Sequence, residues 1–164
     1  TLMGGFGMQH LQRMAALPQS NLLLALLRDG FHEQSQGGSV SLRDNGDPVL
    51  DYPVTDYVWD GVRRAYLSMG EIQFAAGAKA VMPSHAHGRL STSWTDFKQQ
   101  VAELSYRLHD VRLASAHVMG GCAMGEDPRQ SDGSLFPTSI GANPQLSIYG
   151  LAARLASQLA SDLS

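Results

Sequence analysis

Two segments in the last third of the chain combine residue types that suit chemistry. His117 stands between a short apolar stretch and Gly120-Gly121. Histidine is the side chain that exchanges a proton near neutrality, so it is the natural general base or acid. Glycines beside it let backbone approach a flat ligand closely. The second segment is Asn143-Pro144, placed where the final helical pattern begins. Asn is a strong N-cap, and Pro suits the first helical turn because its missing N–H is not needed there. Such a start leaves unpaired N–H groups and a partial positive charge that favour an electron-rich group.

Other candidates are weaker. His85 and His87 form a His-x-His pair. On a strand both would face one way and could ligate zinc together with His117 or Cys122. No acidic or thiolate partner has convincing spacing, so a polar lining of a substrate region or an exposed strand end is the preferred reading. Cys122, the one cysteine, reads as a small buried hydrophobe and not as a nucleophile. A lone thiol forms no internal disulfide, which fits a reducing compartment. Gly5-Phe6-Gly7 has Gln9-His10 where a dinucleotide fingerprint needs its third Gly, and no strand precedes it. Trp59, Trp94 and Tyr66 are expected in the core or a pocket wall.

The run His-Val-Met-Gly-Gly-Cys-Ala-Met-Gly from His117 is followed by Asp-Gly-Ser-Leu-Phe-Pro-Thr-Ser-Ile-Gly-Ala-Asn-Pro-Gln-Leu-Ser-Ile-Tyr-Gly-Leu-Ala from Asp132. Together they resemble the carboxy-terminal signature of the glucose–methanol–choline (GMC) oxidoreductases. The preceding region resembles that family's substrate domain only loosely. The resemblance implies FAD as cofactor, an alcohol as substrate and a carbonyl as product. It implies that His117 removes the alcohol proton and that Asn143 hydrogen-bonds the substrate oxygen. It further implies that Asp132 and Gly133 lie beside the ribityl–pyrophosphate, and that Asn143, Pro144 and Gln145 approach the flavin pyrimidine. Read from its residues alone, Asp132 could equally be a turn aspartate.

The resemblance also divides the chain. Residues 1–126 are expected to form a substrate-binding region ending in the His117 loop, and 127–164 a portion of the FAD domain. The expected partner is an amino-terminal FAD-binding portion that these residues do not contain, so the chain is expected to be a fragment of the full enzyme. The family's further turn and strand before Asp-Gly-Ser have no counterpart before Asp132. Two other readings stand beside this one. The chain could be a non-catalytic domain that binds a hydrophobic alcohol without flavin, or a small metalloprotein. The Met-rich apolar surroundings suit an aliphatic or steroid-like alcohol.

The elements that must position these residues follow from periodicity. Leu11, Met14, Ala15 and Leu17 fall on one helical face, closed by Pro18. Ser20 or Asn21 is expected to cap a second short helix through Leu27, closed by Gly30, and both stretches are expected in the core. Val40 and Leu42 alternate with polar residues, Asp44-Asn45-Gly46 offers a turn, and Val49 to Tyr52 returns as a hairpin. Pro48 and Pro53 suggest an edge. A longer helix starts at Thr55 and ends at Gly77. Lys79 to Met82 is β-like and stopped by Pro83. Another helix is expected from Thr95 or Asp96 to about His109, burying Phe97, Val101, Leu104 and Leu108. In the last helix Ile148, Leu151, Ala152, Leu155 and Leu159 form an apolar stripe. The expected class is α+β: an antiparallel sheet with helices on one face, plus the carboxy-terminal helix.

Bulk properties agree with one globular unit. The chain has 164 residues, 43% of them apolar, and a formal net charge of −3, which argues against disorder and gives no footprint for nucleic acid. Leu22 to Leu27 is the longest apolar run and is far too short to span a bilayer, so no transmembrane segment is expected.

Overall fold

The computed structural model describes residues 6–121 and 133–163. Its class is α+β, with four α-helices and one two-stranded antiparallel sheet among the described residues. Contacts divide the chain into two units: Thr1–Leu27 with Val54–Leu113, and Arg28–Pro53 with Ala114–Ser164.

The core of the first unit lies between two helices. Helix α1 (Gly7–Ala15) opens the unit, and α2 (Asp56–Ala75) and α3 (Trp94–Glu103) pack against each other. Helix α2 begins after Thr55, with Asp56 in its first turn where the macrodipole favours negative charge. Its end is a Schellman motif. The Gly77 N–H donates to the Phe74 carbonyl and the Ala78 N–H to the Gln73 carbonyl, both at 3.0 Å. Gly77 sits at φ +89°, a left-handed conformation that a side chain disfavours. Helix α3 is capped by Ser93, whose hydroxyl accepts the Asp96 N–H at 3.2 Å.

Val62, Tyr66, Phe97, Val101 and Val111 form the buried cluster, with Trp59, Leu67 and Trp94 packed around it. Phe97 lies 6.2 Å from the Phe74 ring, edge-on, and 6.0 Å from that of Trp94, stacked. Its ring rests directly on α2 at Gly70, where a Cβ would fall 2.3 Å from a Phe97 ring carbon. Gly70 is therefore a packing requirement inside a helix that would otherwise disfavour it.

Helix α3 ends at Glu103 and does not run to His109. Leu104 turns to an extended conformation, and the Ser105 carbonyl accepts from His85 Nε2 at 2.8 Å. Tyr106 donates its hydroxyl to the Val101 carbonyl at 2.7 Å. Ser105 Oγ and Arg107 Nε both donate to Asp110 Oδ2 at 2.6 Å. These bonds outcompete further helical turns, and Leu108 is left exposed.

His85 is a structural residue. It is buried, bridges to Val111, donates from Nε2 to Ser105 and accepts the His87 N–H at Nδ1. Both ring nitrogens are occupied, so it has no lone pair for a metal. His87 is 3.7 Å from Asp110 instead. No group of metal-ligating side chains occurs among the described residues.

Asp110 is held below its ordinary value near 3.8 by the Ser105 and Arg107 hydrogen bonds. A depressed carboxylate contributes stability that is complete above the unfolded value and disappears as pH falls through the native one. Asp110→Asn is therefore expected to melt below the wild type at pH 7, with the gap closing as the pH drops below about 3.8. A gap that stays constant down to strong acid would show that the ionised form contributes nothing.

The apolar stretch before residue 28 departs from expectation. No second helix forms between 20 and 30. The Ser20 hydroxyl donates backward to the Ala16 carbonyl at 2.8 Å, closing the one-turn helix Leu17–Gln19 instead of capping a new one. A helix that short is not stable without packing. Leu11, Leu24 and Leu26 are 60%, 73% and 87% exposed, so this stretch is not core in this chain.

In the second unit, strand β1 (Ser39–Leu42) pairs antiparallel with β2 (Pro48–Asp51), Ser39 opposite Asp51 and Leu42 opposite Pro48. In a two-stranded sheet each strand is an edge, so Pro48 breaks no interior ladder. The strands are exposed apart from half-buried Val49, so the sheet is a single hairpin and the packed layer is helix on helix. Asp29 ties the hairpin's end by accepting from Ser35 and from Tyr52. Helix α4 (Gln145–Asp162) half-buries Ile148, Leu151, Ala152 and Leu155, while Leu159 is exposed. No described helix is long and apolar enough to cross a membrane.

Candidate active site

The site is organised by the start of α4. Asn143 Oδ1 accepts the Gln145 N–H at 3.0 Å, and Pro144, already in helical conformation at φ −80°, carries no N–H. Asn143 thus caps the first turn, although the regular helix is drawn from Gln145. The Leu146 and Ser147 N–H groups have no acceptor within the helix. This end therefore presents donors and positive potential to whatever lies before it. With Oδ1 engaged, the amide Nδ2 of Asn143 is its donor face.

The His117 segment is irregular, as its glycines predict. Gly120 has φ +84°, and a Cβ there would lie 3.2 Å from the Pro137 carbonyl. A side chain here would be strained and would crowd Phe136-Pro137, so glycine suits the loop's close approach. That close packing brings His117 to the start of α4. His117 is solvent-exposed and has no hydrogen-bond partner among the described residues.

A cavity of about 260 Å³ is lined by His117, Asn143, Pro144, Gln145, Ile148 and Tyr149. A second, of about 340 Å³, adds Ala116, Val118, Met119, Gly121 and Ser134 to the shared His117, Pro144 and Ile148. Four of the six residues singled out in the sequence thus surround one cavity. Of the other two, Gly133 opens a one-turn helix, Gly133–Leu135. Asp132 lies outside the described residues, as does Cys122.

Ile148 and Tyr149 were missed as lining residues. Ile148 carries the apolar periodicity of a core position. Tyr149 follows Gln145 by one helical turn, and the Gln145 side chain donates to its hydroxyl at 2.6 Å. That i,i+4 spacing was the available signal. A planar, electron-rich group with acceptors along one edge fits this arrangement: apolar walls at Pro144, Ile148 and Tyr149, and donors at the helix start.

Comparison with known proteins gives the following. A family model described as GMC oxidoreductase matches residues 33–131, a span that includes His117 and stops short of Asn143. A long-chain-alcohol oxidase of Arabidopsis thaliana is 27% identical over 164 residues, covering 85% of this chain and 21% of its own length. A GMC-type oxidoreductase of Sinorhizobium fredii, itself uncharacterized, is 27% identical over 129 residues, covering 67% of this chain and 25% of its own length. The chain therefore spans about a fifth to a quarter of the curated relatives it matches. No solved structure matches it.

Proposed function

The chain belongs to the GMC oxidoreductase family, and from that premise we propose that it supplies the alcohol-facing part of an FAD-dependent oxidation of an alcohol to a carbonyl. In this reading residues 1–126 bind the substrate, 127–164 complete the FAD domain, and the partner is an amino-terminal FAD-binding portion. The observation that carries the proposal is the shared cavity of His117 and Asn143 at the start of α4.

Each residue has a task set by its chemistry. His117 takes the hydroxyl proton as the C–O bond gains carbonyl character. Asn143 donates from Nδ2 to the substrate oxygen and stabilises its transient negative charge. The donors of α4, with Asp132 and Gly133 at the ribityl–pyrophosphate, would hold FAD. The bound flavin supplies the acceptor for the hydride that leaves the alcohol carbon. Pro144, Ile148 and the Tyr149 ring form the apolar wall beside the reacting atoms. The name of the Arabidopsis relative and these apolar walls both favour an apolar alcohol.

Anaerobic mixing of the holoenzyme with an aliphatic alcohol is the direct test. Bleaching of the oxidised flavin spectrum supports the proposal. A colourless protein that binds alcohols and stays inactive after FAD is added would establish the binding-module alternative instead. Asn143 offers a sharper check, because its cap and its proposed catalytic contact use different atoms. Asn143→Asp keeps an acceptor for the Gln145 N–H but loses the amide donor. Its melting temperature is expected to stay near wild type while kcat falls about a hundredfold. Parallel losses of stability and rate would reduce Asn143 to a cap.

A further inference from the structure

His117, Pro144 and Ile148 line both cavities, so His117 stands where the two meet. The two differ in chemistry. The first holds the amide of Asn143 and the helix start, which suit the reacting hydroxyl. The second adds the carbons of Ala116, Val118 and Met119 and the bare backbone of Gly121. At about 340 Å³ it sits near the lower end of small-molecule sites, which run from about 300 to 1,000 Å³. An unbranched tail can follow such a space by rotating about its single bonds, a freedom that a rigid fused-ring skeleton lacks.

We propose that the second cavity takes an unbranched alkyl tail of the alcohol, with Met119 setting the length it accepts. The inference rests on the alcohol-oxidation reading and deepens it. Both Val118 and Met119 line the second cavity, Val118 73% exposed and Met119 half-buried. A methionine there is flexible and polarizable, able to lie along a chain and yield to it. Met119 is a specificity residue that touches the tail and takes no part in the proton or hydride transfer.

The test compares butan-1-ol with dodecan-1-ol on the holoenzyme. Met119→Trp fills the cavity. Each methylene kept out of it costs about fourfold in affinity, so loss of two raises KM for dodecan-1-ol about fifteenfold. KM for butan-1-ol and kcat for both are expected to stay within about twofold of wild type. Met119→Leu, which conserves volume, is expected to restore the wild-type chain-length profile. Ala116→Phe reaches the same cavity from a separate position and is expected to reproduce the selective rise. Equal changes for the two alcohols, or none, would overturn the assignment of Met119. A sterol oxidised as efficiently as dodecan-1-ol would overturn the linear tail. His117→Ala run in parallel separates the levels. If it still reduces flavin at the wild-type rate, the underlying reading fails, whatever the chain-length profile.

Discussion

Alanine in place of His117 is expected to leave FAD bound and to slow flavin reduction by an alcohol about a hundredfold to ten-thousandfold. That range is what a positioned general base contributes to proton transfer. Little of the loss should come from unfolding, because His117 is exposed and makes no hydrogen bond among the described residues. Exposed side chains without partners usually change stability by less than about 0.5 kcal/mol. Stopped-flow reduction under anaerobic conditions reads the chemical step separately from reoxidation. The same exposure provides a second readout. The space left by truncation opens to solvent, so added imidazole should enter it and restore part of the rate. A structural role would not respond to imidazole. Wild-type reduction kinetics in the alanine variant would remove His117 from the proton transfer.

Phe97→Ala is expected to destabilise the protein by about 3–5 kcal/mol, the usual cost of removing a buried phenylalanine. At this chain length, a change of that size lowers the melting temperature by roughly 6–20 °C. Phe97 is 1% exposed and meets Phe74, Trp94 and the bare backbone of Gly70. Gly70, on which the ring rests, has no side chain that could move in to fill the space. The cavity term should therefore put the cost toward the upper end of that range. Phe97→Leu should lose less, since it keeps most of the volume. Thermal unfolding followed by circular dichroism decides the matter. A shift of only one or two degrees would mean that the α2–α3 contact is not the core of this unit.

How far the sequence could be read depends on how local the deciding interaction is. The bounds of α2 were legible because Asp56 and Gly77 act within a few residues of its ends. The hairpin was legible for the same reason: its turn residues and its alternation sit side by side. The stop of α3 was not. It depends on His85, twenty residues before Ser105, and on the Asp110 network beyond it. The periodicity through Leu108 continues past the true end because it carries no record of either partner. The Leu-rich stretch before residue 28 misled in another way. Its composition reads as core, but a short helix needs a surface to pack on, and these leucines are exposed.

The same division runs through the site. His117 in its glycine loop and Asn143-Pro144 at a helix start were legible in the sequence, because backbone freedom and capping belong to single residues and their neighbours. The family to which the chain belongs was also legible, in the two runs from His117 and from Asp132. Only the tertiary structure decided that Gly120 lies against Pro137, that His117 thereby reaches the start of α4, and that Ile148, Tyr149 and Met119 join them as walls. Those placements come from packing between segments distant in the chain, and no local pattern of side chains encodes which surfaces will meet.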